Sequence, residues 1–323
     1  KRFMNLPEEG TDRLKRKETA AGMQNSYKSP YEHWKYRKAS PKQSRYVMLV
    51  IGIFTVLTVF ATLNVASLFL RELTLNVSPD ARLIILSFAP ATLTLCTFLL
   101  LTWRTDKALF QSYFTGMRGN NLLYMSVGFI TALLMVGICL LPGMINSDIV
   151  IGSVQISAGA LAKDIGLFLL VFIQGASDEI AFRGFLFGHC RRRMPLWMAY
   201  AYSSLLYGLV YILIVGFYPL TIMTITVAGV GFAFCVCYFD SLWMAIGMHV
   251  MWNFSQFFIF GLMRSDFGNL SLVRISQTAN GFFCSAEHGI EGTPFGFLVV
   301  AGFVFLLWFM GKNFQEEIKE MEE

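Results

Sequence analysis

The sequence predicts an all-α fold: a polytopic membrane helical bundle of about eight transmembrane helices, with both termini cytoplasmic. Three observations carry that expectation. Hydrophobic residues make up 55% of the 323 residues and charged ones only 15%, with a mean hydropathy of +0.55, a balance that excludes an ordinary soluble domain. The apolar residues fall in blocks long enough to cross roughly 30 Å of hydrocarbon, without the alternating segments of a membrane barrel. Lysine and arginine collect in every second connection, as positive-inside topology requires.

The elements follow in order. Residues 1–45 form a basic cytoplasmic tail, with Lys15-Arg16-Lys17 and Lys35-Tyr36-Arg37-Lys38 as local clusters and Tyr31, Trp34 and Tyr36 suited to an anionic lipid surface. No signal peptide is expected, because no apolar core with a cleavage site follows the charges closely. The spans are read as Tyr46–Leu70, Leu83–Trp103, Leu122–Pro142, Asp164–Gly188, Leu196–Gly216, Pro219–Phe239, Ser241–Leu262 and Pro294–Met310. They divide into a first group within 46–162 and a second within 163–311, and residues 312–323 close the chain as an acidic cytoplasmic tail. With the amino terminus inside, the inner connections carry Arg104, Lys107, Arg118, Arg191-Arg192-Arg193 and Lys312. The outer ones carry mainly Arg71, Arg82, Arg264 and Arg274. Residues 263–293 form a long outer loop containing Gly268, Gly281, Glu287, His288, Gly289 and Gly292. The net charge of +5 does not imply nucleic acid, since the basic residues lie in the tail and beside the spans. The six cysteines have no zinc-type spacing, and most lie in spans, where a thiol behaves as a small apolar side chain.

The chemistry gathers in the fourth span, at Gln174-Gly175-Ala176-Ser177-Asp178-Glu179-Ile180-Ala181-Phe182-Arg183-Gly184. Ionised groups in hydrocarbon lose their hydration, so they face the bundle interior and find partners. Glu179 and Arg183 are four apart and share a helical face as a pair. Asp178 points about 100° away and is left for another role. In the seventh span His249 and Asn253 are four apart, and in the fifth Tyr207 and Tyr211 are. At 1.5 Å per residue, Asp178 lies about 19 Å in from Arg191, His249 about 13 Å from Asp240 and Tyr207 about 16 Å from Leu196. These depths are compatible with one buried, water-holding cavity. A desolvated carboxylate can act there as general base towards water. The imidazole could share that role or bind a metal, and the asparagine amide could donate to a developing oxyanion. Polar groups that merely hold helices together are the simpler alternative for any one of them. Gly184 and Gly188 suit close helix packing.

These motifs resemble those of the CAAX-protease and bacteriocin-processing (CPBP/Abi) family of intramembrane proteases. Gln174–Gly188 is similar to the first motif, two glutamates, three residues, then arginine and glycine. His249-Val250-Met251-Trp252-Asn253 matches His-x-x-x-Asn, and Ser203-Ser204-Leu205-Leu206-Tyr207-Gly208 resembles the start of the segment carrying Phe-x-x-x-His. Gly289-Ile290-Glu291-Gly292 is similar to bacterial members. The resemblance spans roughly 160–310, so 163–311 reads as a protease-like core. It implies peptide-bond hydrolysis in a multi-pass protein of the plasma membrane, bacterial by the shape of its motifs. Asp178, Glu179, Arg183, His249 and Asn253 would form the site, and a membrane-embedded or lipidated peptide would enter laterally. Two departures stand out. The first glutamate is Asp178, whose carboxylate is one methylene shorter, and a displacement of about 1 Å can lower a rate around 100-fold. Tyr207 and Tyr211 take the Phe and His positions of the middle motif, and a phenol with a pKa near 10 is a poor base and a poor zinc ligand. His33, His189 and His288 lie elsewhere by the same topology. A metal would find His249 and carboxylates only, too few ligands for a typical catalytic zinc, so no cofactor is expected. The alternative is a catalytically inactive pseudoprotease that organises a membrane or cell-envelope partner. A transporter is more distant, since no repeat symmetry or broken-helix pair is evident.

Overall fold

The structure is a computed structural model and describes residues 41–114, 120–239, 241–262, 270–277, 281–285 and 287–322. The basic tail up to residue 40, with His33 and Trp34, and the loop residues Arg118, Asp240, Arg264 and Gly268 lie outside the described residues. The chain runs through α1 (Pro41–Leu73), α2 (Pro79–Thr105), α3 (Lys107–Ser112), α4 (Asn121–Ile145) and β1 (Ile149–Val154). Next comes α5 (Ala158–Glu179), which passes through a π-helical turn (Ile180–Leu186) into α6 (Phe187–Cys190). Then follow α7 (Leu196–Val215), α8 (Pro219–Tyr238), α9 (Leu242–Phe254) with a second π-helical turn (Ser255–Ile259), β2 (Val273–Gln277) and α10 (Pro294–Glu322). The chemistry of the boundaries is local. Pro79 occupies the first turn of α2, where a missing N–H costs nothing. The Ser157 hydroxyl accepts from the Ala160 N–H at 3.1 Å to start α5, and Ser241 accepts from Trp243 N–H at 3.3 Å to start α9. Gly216, at φ 111°, ends α7 in a conformation that an L side chain resists.

Among the described residues seven helices are long and apolar enough to cross a membrane, one fewer than expected. The missing one is the Ser241–Leu262 span, whose α-helix, α9, has only 13 residues. It nevertheless traverses the bundle. Strands β1 and β2 pair antiparallel, with Ile149 opposite Gln277 and Val154 opposite Val273, so both lie at the same end. The segments between them are α5 with its continuation, α7, α8 and α9. An odd number of passages would leave the strands at opposite ends, so α9 and its π-helical turn complete the eighth. The β1–β2 sheet itself was not expected, since both strands fall in stretches that the sequence assigns to connections.

The opposite end is tied by polar contacts between connections. Arg192 Nη2 meets Asp106 Oδ2 at 2.8 Å, the Ser241 hydroxyl donates to Asn121 Oδ1 at 3.1 Å, and Trp243 Nε1–H donates to the Tyr113 carbonyl at 2.8 Å. The main core surrounds α5, its π-helical turn and α9, with Phe98, Phe182, Phe187 and Phe258 fully buried. There α9 lies against α4 backbone to backbone. A Cβ on Gly128 would stand 2.9 Å from the Met248 nitrogen, and one on Gly247 would run into the Met125 carbonyl. Gly184 has the packing role its sequence position suggests, under the ring of Tyr113. A smaller apolar cluster at the sheet end joins Val136, Cys139, Leu140 and Ile149 to Leu262, Cys284 and Ile290, and so anchors the last loop.

Candidate functional site

The polar residues of the fourth, fifth and seventh expected spans meet around one cavity of about 530 Å³, reached by α1, α2, α4, α5, α7, α8, α9 and α10. At its floor the two adjacent carboxylates separate as their helical positions dictate. Glu179 is fully buried, whereas the Asp178 side chain is 23% exposed and lines the cavity. Glu179 Oε1 accepts from Arg183 Nη1 at 3.2 Å and from His249 Nδ1 at 2.8 Å. That second bond fixes the imidazole: with the Nδ1 proton committed to Glu179, Nε2 turns towards Asp178 Oδ2 at 3.9 Å. The Phe232 ring stacks on His249 at 5.5 Å and 7°, which holds the ring plane.

Arg183 is as buried as Glu179. Its guanidinium lies 4.3 Å from the centre of the Tyr207 ring and 5.2 Å from that of Phe232, an aromatic enclosure that partly replaces lost hydration. Gly229 leaves room for it, since a Cβ there would be 2.7 Å from Arg183 Nη2. The arginine sits in the π-helical turn directly after Asp178-Glu179, and such wide turns recur at functional sites. Tyr207 therefore covers the ion pair, while Tyr211, Asn253 and Asp178 line the cavity with His249. All seven residues singled out in the sequence are brought together. His189 and His288 are not among the lining residues; His288 packs its ring on Tyr218 at 4.0 Å. Among the described residues no three of His, Cys, Asp and Glu form a metal-ligand group.

Several lining groups were not read from the sequence as site residues. Glu291, in the last loop, reaches the cavity and accepts at Oε1 from Trp252 Nε1–H at 2.7 Å and from Gln256 Nε2–H at 3.4 Å. Its backbone carbonyl accepts from the Thr224 hydroxyl at 2.9 Å. Trp252 was legible in part, because positions 249, 252, 253 and 256 make one stripe on a helix. On α1, Asn64, Ser67 and Arg71 line the cavity, again at positions that share a helical face.

With this geometry in view, comparison with known proteins is informative at one place. Residues 163–255 match the family model described as Type II CAAX prenyl endopeptidase Rce1-like. The matched segment is similar to the core of such CAAX proteases. It takes in Asp178, Glu179, Arg183, Tyr207, Tyr211, His249 and Asn253 and ends before Glu291. No curated protein and no solved structure matches the chain. The chain is thus a multi-pass membrane protein, and its 163–255 segment is similar to the CAAX-protease family that its motifs resemble.

Proposed function

We propose that the protein is an intramembrane endopeptidase acting on a membrane-embedded or lipidated peptide. The observation that carries this reading is the paired placement of Asp178 and His249 Nε2, 3.9 Å apart on the cavity wall, with the other imidazole nitrogen held by Glu179. Two acceptors at that separation suit one water that donates to both. Asp178 then takes a proton from the water as its oxygen attacks the carbonyl carbon. Asn253 donates to the oxygen that gains charge. Glu179 and Arg183 position His249 and do not themselves touch substrate. Lateral access from the bilayer and both termini in the cytoplasm belong to this reading, with a bacterial plasma membrane as its setting.

A second reading rests on Tyr211. Among the lining residues His249 supplies the one imidazole, and a tyrosine occupies the place of the other. On that basis the fold would serve as a scaffold for a membrane or cell-envelope partner. The discriminating measurement compares peptide termini in membranes from cells carrying the wild type, Asp178→Asn or His249→Ala at equal abundance. The endopeptidase reading expects the same termini to vanish in both variants, and it expects Tyr211→His to raise the yield of those termini about 10-fold or more, since a positioned base contributes at least that much. Termini unchanged in every variant, with a phenotype on deletion, would leave the scaffold.

A further inference from the structure

Glu291 is a second carboxylate in the cavity, contributed by a loop outside the matched core. Resting on the endopeptidase reading, we infer that Glu291 is the proton donor to the leaving amine.

The geometry gives the reasons. Trp252 sits one turn from His249 on α9, and its indole N–H holds Glu291 Oε1 at 2.7 Å, so the carboxyl group is aimed into the cavity that Asp178 and His249 line. Gln256, a further turn along, donates to the same oxygen and accepts from the Ile290 N–H at 3.2 Å, which fixes the loop on both sides of the carboxylate. Both side-chain bonds end on Oε1, and Oε2 is left to face a bound peptide. The Thr224 hydroxyl and the buried Ile290 hold the loop's backbone against α8 and the sheet-end cluster. Such a held, pre-aimed acid differs from a solvated loop glutamate. The ionisable groups facing it are His249 on α9 and Tyr207 and Tyr211 on α7, with Arg71 and Asp178 lining the same cavity. Burial raises the Glu291 carboxyl above its ordinary value, with the Trp252 bond, His249 and the Gln256 bond opposing in that order.

The step balances. Asp178 carboxylate removes one proton from water while the water oxygen bonds to the carbonyl carbon. The C–N bond then breaks as the Glu291 carboxylic acid delivers its proton to the amide nitrogen. The products are a carboxylic acid and an amine, with Asp178 protonated and Glu291 ionised. Proton exchange through cavity water restores both.

The test extends the comparison of termini to membranes incubated from acid to alkaline buffer, with Glu291→Gln, which keeps an oxygen for Trp252, and Trp252→Phe, which keeps the acid. The expected result is a loss of about 100-fold or more in Glu291→Gln, with the alkaline fall of the wild-type profile absent from what remains. In Trp252→Phe that fall moves to higher pH, because a donor to the ionised form is gone. Should Glu291→Gln lower abundance, the Trp252→Phe profile alone decides. Termini that need Asp178 but form at the wild-type rate in Glu291→Gln would overturn this inference and leave the endopeptidase standing. So would a large loss with the alkaline fall unmoved in both variants. If no terminus depends on Asp178 or His249, the endopeptidase reading and this inference fall together.

Discussion

Arg183 and Glu179 are the most deeply buried charges of the site, and neither is fully satisfied: among the described residues Glu179 Oε2 and Arg183 Nε and Nη2 have no hydrogen-bond partner. The pair is thus held by one bond to each other, by His249 and by the rings of Phe182, Tyr207 and Phe232. Replacing a buried pair by apolar groups can be neutral, but removing one member strands the other charge. Arg183→Gln is therefore expected to destabilise the protein by about 3–5 kcal/mol, seen as a lowered unfolding temperature in detergent. The same variant is expected to cut cleavage, because Glu179 no longer has a fixed position from which to orient His249. An unchanged unfolding temperature would show that the pair contributes only orientation.

At the scale of elements, the site depends on how closely α9 approaches α4. Gly128 and Gly247 let the two backbones touch, and that contact sets the depth at which His249 faces Asp178. Gly247→Val inserts three carbons where the Met125 carbonyl already stands. Forcing bulk into a packed contact costs about 1–3 kcal/mol, and here it also displaces His249, two residues on. We expect Gly247→Val to fold with a lowered unfolding temperature and to lose cleavage more than stability. Equal effects on both would locate the role in folding alone. The helices themselves were legible from the sequence, because long apolar blocks leave few alternatives in a bilayer. The Asp178–Glu179–Arg183 and His249–Asn253 faces were legible because four-residue spacing is a property of the helix. The π-helical turns after Glu179 and after Phe254 were not, since nothing in their apolar periodicity differs from ordinary helix. Glu291 belongs to the same class of omission. Its role is created by Trp252 and Gln256 at 39 and 35 residues' separation, which no local pattern encodes.

For the whole molecule, the pairing of β1 with β2 decides the number of passages, and the length of α9 taken alone would have decided it wrongly. A direct check uses Ser153→Cys with Arg274→Cys, whose Cα positions are partners across the strands. The double variant is expected to cross-link, and in intact cells both thiols are expected to react with an impermeant reagent before cross-linking. Reaction of only one would place the loops on different sides and return the count to seven. The contacts group the connections at two ends: Asp106 meets Arg192 at one, and Thr224 meets the Glu291 backbone at the sheet end.

The same sheet imposes an order on biosynthesis. Strand β1 leaves the ribosome well before β2, with α5, α7, α8 and α9 still to be made. At ordinary synthesis rates that interval is on the order of ten seconds. Throughout it β1 presents Val150, Ile151 and Val154 on an unpaired edge, a surface on which a stray strand can dock. Glu291 emerges later still, so the nascent core holds Asp178 and His249 without the acid proposed to complete them. A half-made chain in the membrane is on that account vulnerable and, on the proposed reading, still without its acid.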